Sequence, residues 1–246
     1  MTSERPRGLH GSVVHLLGTR ILSGDLAPGA ILDLPALEDE LGISHTVLRE
    51  SLKVLTAKGL VGARQKRGTY VTPSDTWNML DDDVLRWRAA SQNGAELFQQ
   101  LGEVRLIIEP AAAALAAQRA EPADIAALTA TLDNMQAAAD DPDTSHAADA
   151  DVAFHAALLK ATHNELLAGL RIVIEHGLRQ RDLLVHAHPD ATDPIPAHRA
   201  VLDAVRDGDP DAAAEAMLAL LNQAAADFEV FRRPKSRRRS AQRNLA

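Results

Sequence analysis

The sequence predicts a mainly α-helical chain in two parts, three helices with a two-stranded hairpin at the N-terminus and an all-α antiparallel bundle after it. Aromatic residues make up only 3% of the 246, and the 46% hydrophobic share is mostly Ala, Leu, Val and Ile. That composition favours helix over sheet. Apolar positions recur at helical spacing along most of the chain, with strand-like patterning confined to the stretch from Leu60 to Val71. The length exceeds the usual size of one domain, so two domains are expected.

The first helix follows from Leu9, Val13, Leu16, Leu17 and Ile21, and Ser23-Gly24-Asp25 with Pro28-Gly29 stops it. A second, short helix opens at Pro35 and ends where Gly42 supplies a tight turn. Ser44 caps a third, whose buried stripe is Val47, Leu48, Leu52 and Leu55. Two helices joined through a glycine-containing turn form a helix-turn-helix. After Gly59, the run Leu60 to Val71 reads as two short strands about a basic, glycine-containing tip, a wing.

A winged helix-turn-helix places its third helix in the major groove and the cations of its wing on phosphate. On that docking His45, Thr46 and Arg49 face the bases, while Arg64, Lys66 and Arg67 supply salt-dependent affinity. Arg49 has a competing use as the partner of Glu38 or Glu50.

Charge is distributed to match. Residues 1–75 hold 9 Lys/Arg against 8 Asp/Glu, residues 76–231 hold 10 against 26, and residues 232–246 hold 7 against 0. The net values are +1, −16 and +7, within an overall −8. An acidic middle repels phosphate, so nucleic-acid contact falls to the ends. The basic stretch 232–246 is either a disordered solubilising tail or an auxiliary DNA-binding arm. No apolar run is long enough for a membrane helix and no signal-peptide pattern opens the chain, so a cytoplasmic protein without membrane attachment is expected. The absence of cysteine excludes disulfides and thiolate metal sites.

The expected layout is a DNA-binding domain at 1–75, a linker helix at 76–94 containing Trp77 and Trp87, a helical bundle at 95–231 and the tail at 232–246. About six bundle helices are expected, with breaks near Glu121-Pro122, Asp141-Pro142, His163-Asn164, Pro189 to Pro196, and Gly208-Asp209-Pro210. Asp151 and His155 are four residues apart and share a helix face, and His198 lies beyond the proline-rich loop. Such a trio chelates a divalent cation, zinc best and nickel or manganese less well, or serves as caps and ion pairs.

The stretch from Ile21 to Val71, with Ser44-His45-Thr46-Val47-Leu48-Arg49-Glu50-Ser51-Leu52 at its centre, resembles GntR-type transcriptional regulators. His45 stands where that family usually has arginine. Leu97 to about Phe231 resembles the FCD effector domain of the FadR subfamily, whose Asp-x-x-x-His matches Asp151 and His155 and whose later histidine matches His198. The resemblance implies a metal site at Asp151, His155 and His198, with Leu220 in place of a fourth histidine. These three residues, together with Arg105, also form the implied effector site. Arg105 matches an arginine that points into the family's cavity, where either an organic carboxylate or Glu109 pairs with it. The Trp77 to Trp87 stretch and the missing histidine are most similar to members that answer sugar acids. That similarity implies a repressor of sugar-acid catabolism, released by an acid such as galactonate or gluconate.

A homodimer on an inverted-repeat operator is expected, because one recognition helix reads too few bases. Two other functions compete. A hydrolytic zinc enzyme fused to a DNA-binding domain needs a general base and an oxyanion turn, neither of which accompanies the trio, so the chain is not read as an enzyme. A regulator controlled by a partner protein would use the acidic bundle without any small ligand.

Overall fold

The computed structural model describes residues 8–65, 68–139, 144–185 and 192–232. Lys66, Arg67 and nearly all of the basic tail lie outside them. The chain forms two compact units, Met1–Leu97 and Phe98–Ala246.

The N-terminal unit contains α1 (Gly8–Ser23), α2 (Leu34–Leu41), α3 (His45–Ala57), β1 (Val61–Arg64), β2 (Gly68–Val71) and α4 (Asp82–Ala90). The Asp33 carboxylate caps α2 by accepting from Ala36 N, and Gly42 ends that helix in the left-handed region at φ 61°. Ser44 Oγ accepts from Val47 N, so α3 starts where the capping chemistry placed it. The strands are antiparallel, with Val61 opposite Val71 and Arg64 opposite Gly68. A third segment joins this hairpin: Leu32 N donates to Thr69 O and Val71 N donates to Ala30 O. Leu17, Ile21, Leu48, Leu55, Leu60, Val71 and Trp87 are buried in a shared core.

The linker differs from a continuous helix over 76–94. Residues Ser74–Thr76 form a single 3-10 turn, and α4 begins only at Asp82. The Asp81 carboxylate accepts from Asp83 N and Val84 N, and Asp82 and Asp83 occupy the first turn, where the helix dipole favours negative charge. Two anchors hold α4. Trp87 packs on Gly18 of α1 and its Nε1–H donates to His15 Nδ1 at 2.8 Å. Lys58, at the C-terminal end of α3, reaches Asp81 at 2.7 Å and Asp83 at 2.8 Å.

α5 (Gly94–Arg119) begins in the first unit and runs on into the second, which continues with α6 (Pro122–Ala138), α7 (Thr144–Ala161), α8 (Glu165–Gly169), α9 (Arg171–Val185), α10 (Ile195–Asp207) and α11 (Pro210–Arg232). The expected breaks at 121–122, 163–164 and 208–210 fall between helices, and Gly208 closes α10 at φ 70°. One further break, at Leu170, separates the short α8 from α9. Leu128, Leu132, Phe154, Leu158, Val201, Leu202, Met217 and Leu220 form the main core here.

Candidate functional site

On the N-terminal unit, α3 opens with His45 and Thr46, both exposed, and Arg49 one turn later is exposed on the same helix. His45 Nδ1 stands 2.6 Å from Glu38 Oε1 on α2, which ties the ring to the helix before it. Glu50 turns to Lys53 at 2.7 Å, so both carboxylates that competed for Arg49 are engaged elsewhere. Arg64 lies at the end of β1 with its guanidinium 5.2 Å from the centre of the Tyr70 ring, a cation–π distance. The exposed start of α3 and the basic strand end are what a major-groove reader with a phosphate-contacting wing requires.

On the C-terminal unit, five polar side chains meet inside the bundle. Asp151 and His155 come from α7, His198 from the first turn of α10, and Arg105 and Glu109 from α5. Their exposures are 1% for Asp151, His155, His198 and Glu109 and 5% for Arg105. Burial of that many ionisable groups is costly unless they compensate one another. Phe154 closes the apolar side, edge-on to His198 at 4.9 Å between ring centres.

The hydrogen bonding of His198 decides what the cluster can hold. Its Nδ1 stands 2.8 Å from Pro194 O. A carbonyl only accepts, so Nδ1 carries a proton, and Nε2 is the nitrogen left to face the cluster. That nitrogen is buried 2.7 Å from Asp151 Oδ1, out of hydrogen-bond alignment. Two electron-rich atoms this close call for a positive charge between them, a proton or a metal ion. A histidine whose other ring nitrogen donates to a backbone carbonyl is the usual form of a metal-ligating imidazole. Asp151, His155 and His198 each offer one donor atom within 4.8 Å of the others, so the residues fit a divalent metal ion.

Arg105 Nε donates to Glu109 Oε1, and Nη2 lies 3.4 Å from both Glu109 Oε2 and His155 Nε2. His155 Nδ1 is 2.5 Å from Glu109 Oε2, a short contact bent away from hydrogen-bond alignment. Burial pushes the Glu109 carboxyl up, but the charges of Arg105 and His155 outweigh it and bring the carboxyl down to about 2. Burial also holds the His155 imidazole below its ordinary range, against the pull of Glu109. Sequence reasoning paired Glu109 with Arg105 alone; its contact with His155 depends on how α5 packs against α7 and left no signal in the spacing. Leu220 is 4% exposed within the apolar core.

A winged helix-turn-helix joined to a helical unit with a buried polar centre defines a DNA-binding regulator with a ligand-sensing part. Residues 9–71 match the gntR family of bacterial regulatory proteins, and residues 100–223 match the FCD domain. The chain belongs to the GntR family and carries an FCD domain. It is 34% identical over 212 residues to the galactonate operon transcriptional repressor of Escherichia coli (strain K12), which covers 85% of this chain and 92% of that one. It is 36% identical over 151 residues to the HTH-type transcriptional regulator LutR of Bacillus subtilis (strain 168), across 61% of this chain and 66% of the relative. Among solved structures, a Streptococcus agalactiae GntR protein superposes with a TM-score of 0.50 at 25% identity, covering 87% of this chain and 98% of its own. Lar, which controls the expression of the Listeria monocytogenes agr system, reaches a TM-score of 0.62 at 19% identity, with 92% and 99% covered, and shares the fold. The families and the relatives are transcriptional regulators, and the chain is a regulator rather than an enzyme. Its N-terminal part implies DNA as a partner and its FCD domain implies a small-molecule effector. No helix among the described residues is long and apolar enough to cross a membrane.

Proposed function

We propose that this protein is a homodimeric repressor of sugar-acid catabolism, released from an inverted-repeat operator when a sugar acid such as galactonate or gluconate binds its FCD domain. The observation that carries the sensing half is the buried Nε2 of His198 standing 2.7 Å from Asp151 Oδ1 beside His155, next to the buried guanidinium of Arg105. Asp151, His155 and His198 hold one divalent ion, zinc by the mixed Asp/His donor set. When bound, the ion supplies positive charge and open positions for the oxygens of a ligand. Arg105 takes the carboxylate, and the three ligand residues face its hydroxyls. The likeness to the galactonate operon repressor at 34% identity supports a sugar acid and a repressing role.

On the DNA side, His45, Thr46 and Arg49 read base edges, while Arg64, Lys66 and Arg67 hold phosphate. Thermal unfolding with galactonate and gluconate, alongside release of operator DNA, tests the reading. Galactonate at about 100 times its dissociation constant stabilises the folded state by roughly 2.7 kcal/mol, which a melting scan resolves. Arg105→Ala is expected to abolish release while leaving effector-free DNA binding near that of the wild type. A wild-type protein that neither gains melting temperature nor leaves the operator with either acid removes the sugar-acid reading.

A further inference from the structure

We infer that Glu109 is a positioning residue that links the metal ligand His155 to the anion-binding Arg105, so that one buried carboxylate sets both subsites. The inference rests on the metal and carboxylate reading proposed above. Glu109 projects from α5 with one oxygen on Arg105 Nε and the other 2.5 Å from His155 Nδ1. A guanidinium has donors only, so Arg105 Nη2, 3.4 Å from His155 Nε2, meets a lone pair there. The ring proton is therefore on Nδ1, on the side of Glu109. The contact is close but out of line for a hydrogen bond, and a small turn of the ring completes the carboxylate–histidine arrangement that orients a ligating imidazole.

The lone pair that a cation needs is thus the one that Arg105 now uses. A cation on His155 Nε2 displaces the Arg105 N–H and leaves it for another acceptor, such as a ligand carboxylate. The anion admitted this way is a ligand carboxylate, and its binding and that of the ion favour one another reciprocally.

Calorimetric titration of the metal-free, full-length protein with zinc chloride, and separately with sodium galactonate in metal-free buffer, tests this on the wild type, Glu109→Gln and His198→Ala. Glu109→Gln is expected to weaken zinc binding by about 10–100-fold. The same variant should bind galactonate more tightly than metal-free wild type, since Arg105 loses its resident carboxylate. Opposite signs are the mark of a link, because a merely structural defect lowers both affinities together. If Glu109→Gln does not fold, Glu109→Asp keeps the charge but not the reach, and its loss of zinc affinity decides. Unchanged zinc affinity in a folded Glu109 variant, while His198→Ala loses zinc, overturns the role toward His155. Galactonate binding no tighter in Glu109→Gln than in wild type overturns the role toward Arg105. Wild type that takes up no zinc overturns the metal reading, and this inference with it.

Discussion

At the scale of single residues, a side chain's competitors decide which of its chemistries is available. Arg49 is exposed at the start of α3 while Glu38 is held by His45 and Glu50 by Lys53. Its five donors are therefore not committed to those neighbours, and on the proposed docking they reach a guanine edge. Arg49→Ala should cost roughly 1–3 kcal/mol on the operator and much less on random DNA. Arg64→Ala, on the wing, should weaken both alike and flatten the dependence of affinity on salt. Binding isotherms on the two DNAs at several salt concentrations separate the cases, and equal losses for Arg49→Ala would show that it does not read sequence. That Asp151 and His155 share a helix face was legible in their spacing, while His198, which the structure brings beside them, was reached chiefly through the family resemblance. Glu109 was legible only as a neighbour of Arg105, because its second contact crosses between helices far apart in sequence.

At the scale of elements, several boundaries were legible where a serine cap or a glycine marks them, although the Asp33 and Asp81 caps were not recognised. Ser44, Gly42 and Gly208 each end or start a helix in the structure where their chemistry predicts. Elements defined by tertiary partners were not: the segment at Ile31 joins Tyr70 as an isolated bridge, and its sequence carries no alternating pattern to announce it. Pro110 stands inside α5, where local rules would end a helix, yet the helix continues to Arg119. α4 shows the same dependence on partners. A Cβ on Gly18 would lie 2.3 Å from the Trp87 ring, which is itself 2% exposed, so the ring or the helix must shift. Gly18→Ala should therefore destabilise the N-terminal unit by about 1–3 kcal/mol through overpacking, despite alanine's better helix propensity. A denaturant midpoint equal to or above that of the wild type would show that Trp87 yields.

At the scale of the whole molecule, the chain carries a GntR-type DNA-binding part and an FCD domain, with the acidic charge concentrated in the stretch 76–231. The proposed two-fold assembly predicts that sedimentation finds a dimer and that an intact inverted repeat binds far more tightly than a single half-site. A monomer saturating one half-site would remove it. The placement of the metal ligands has one further consequence. His155 and His198 sit on different helices, α7 and α10, with α8 and α9 between them in the chain. This protein has no cysteine and cannot staple its own fold covalently. An ion gripped by both histidines ties the two ends of that stretch together, and because it binds the folded site and not the unfolded chain it stabilises the fold by mass action. The proposed zinc is then a reversible cross-link, and the metal supply of the cell becomes a setting of how firmly the sensor is tied together.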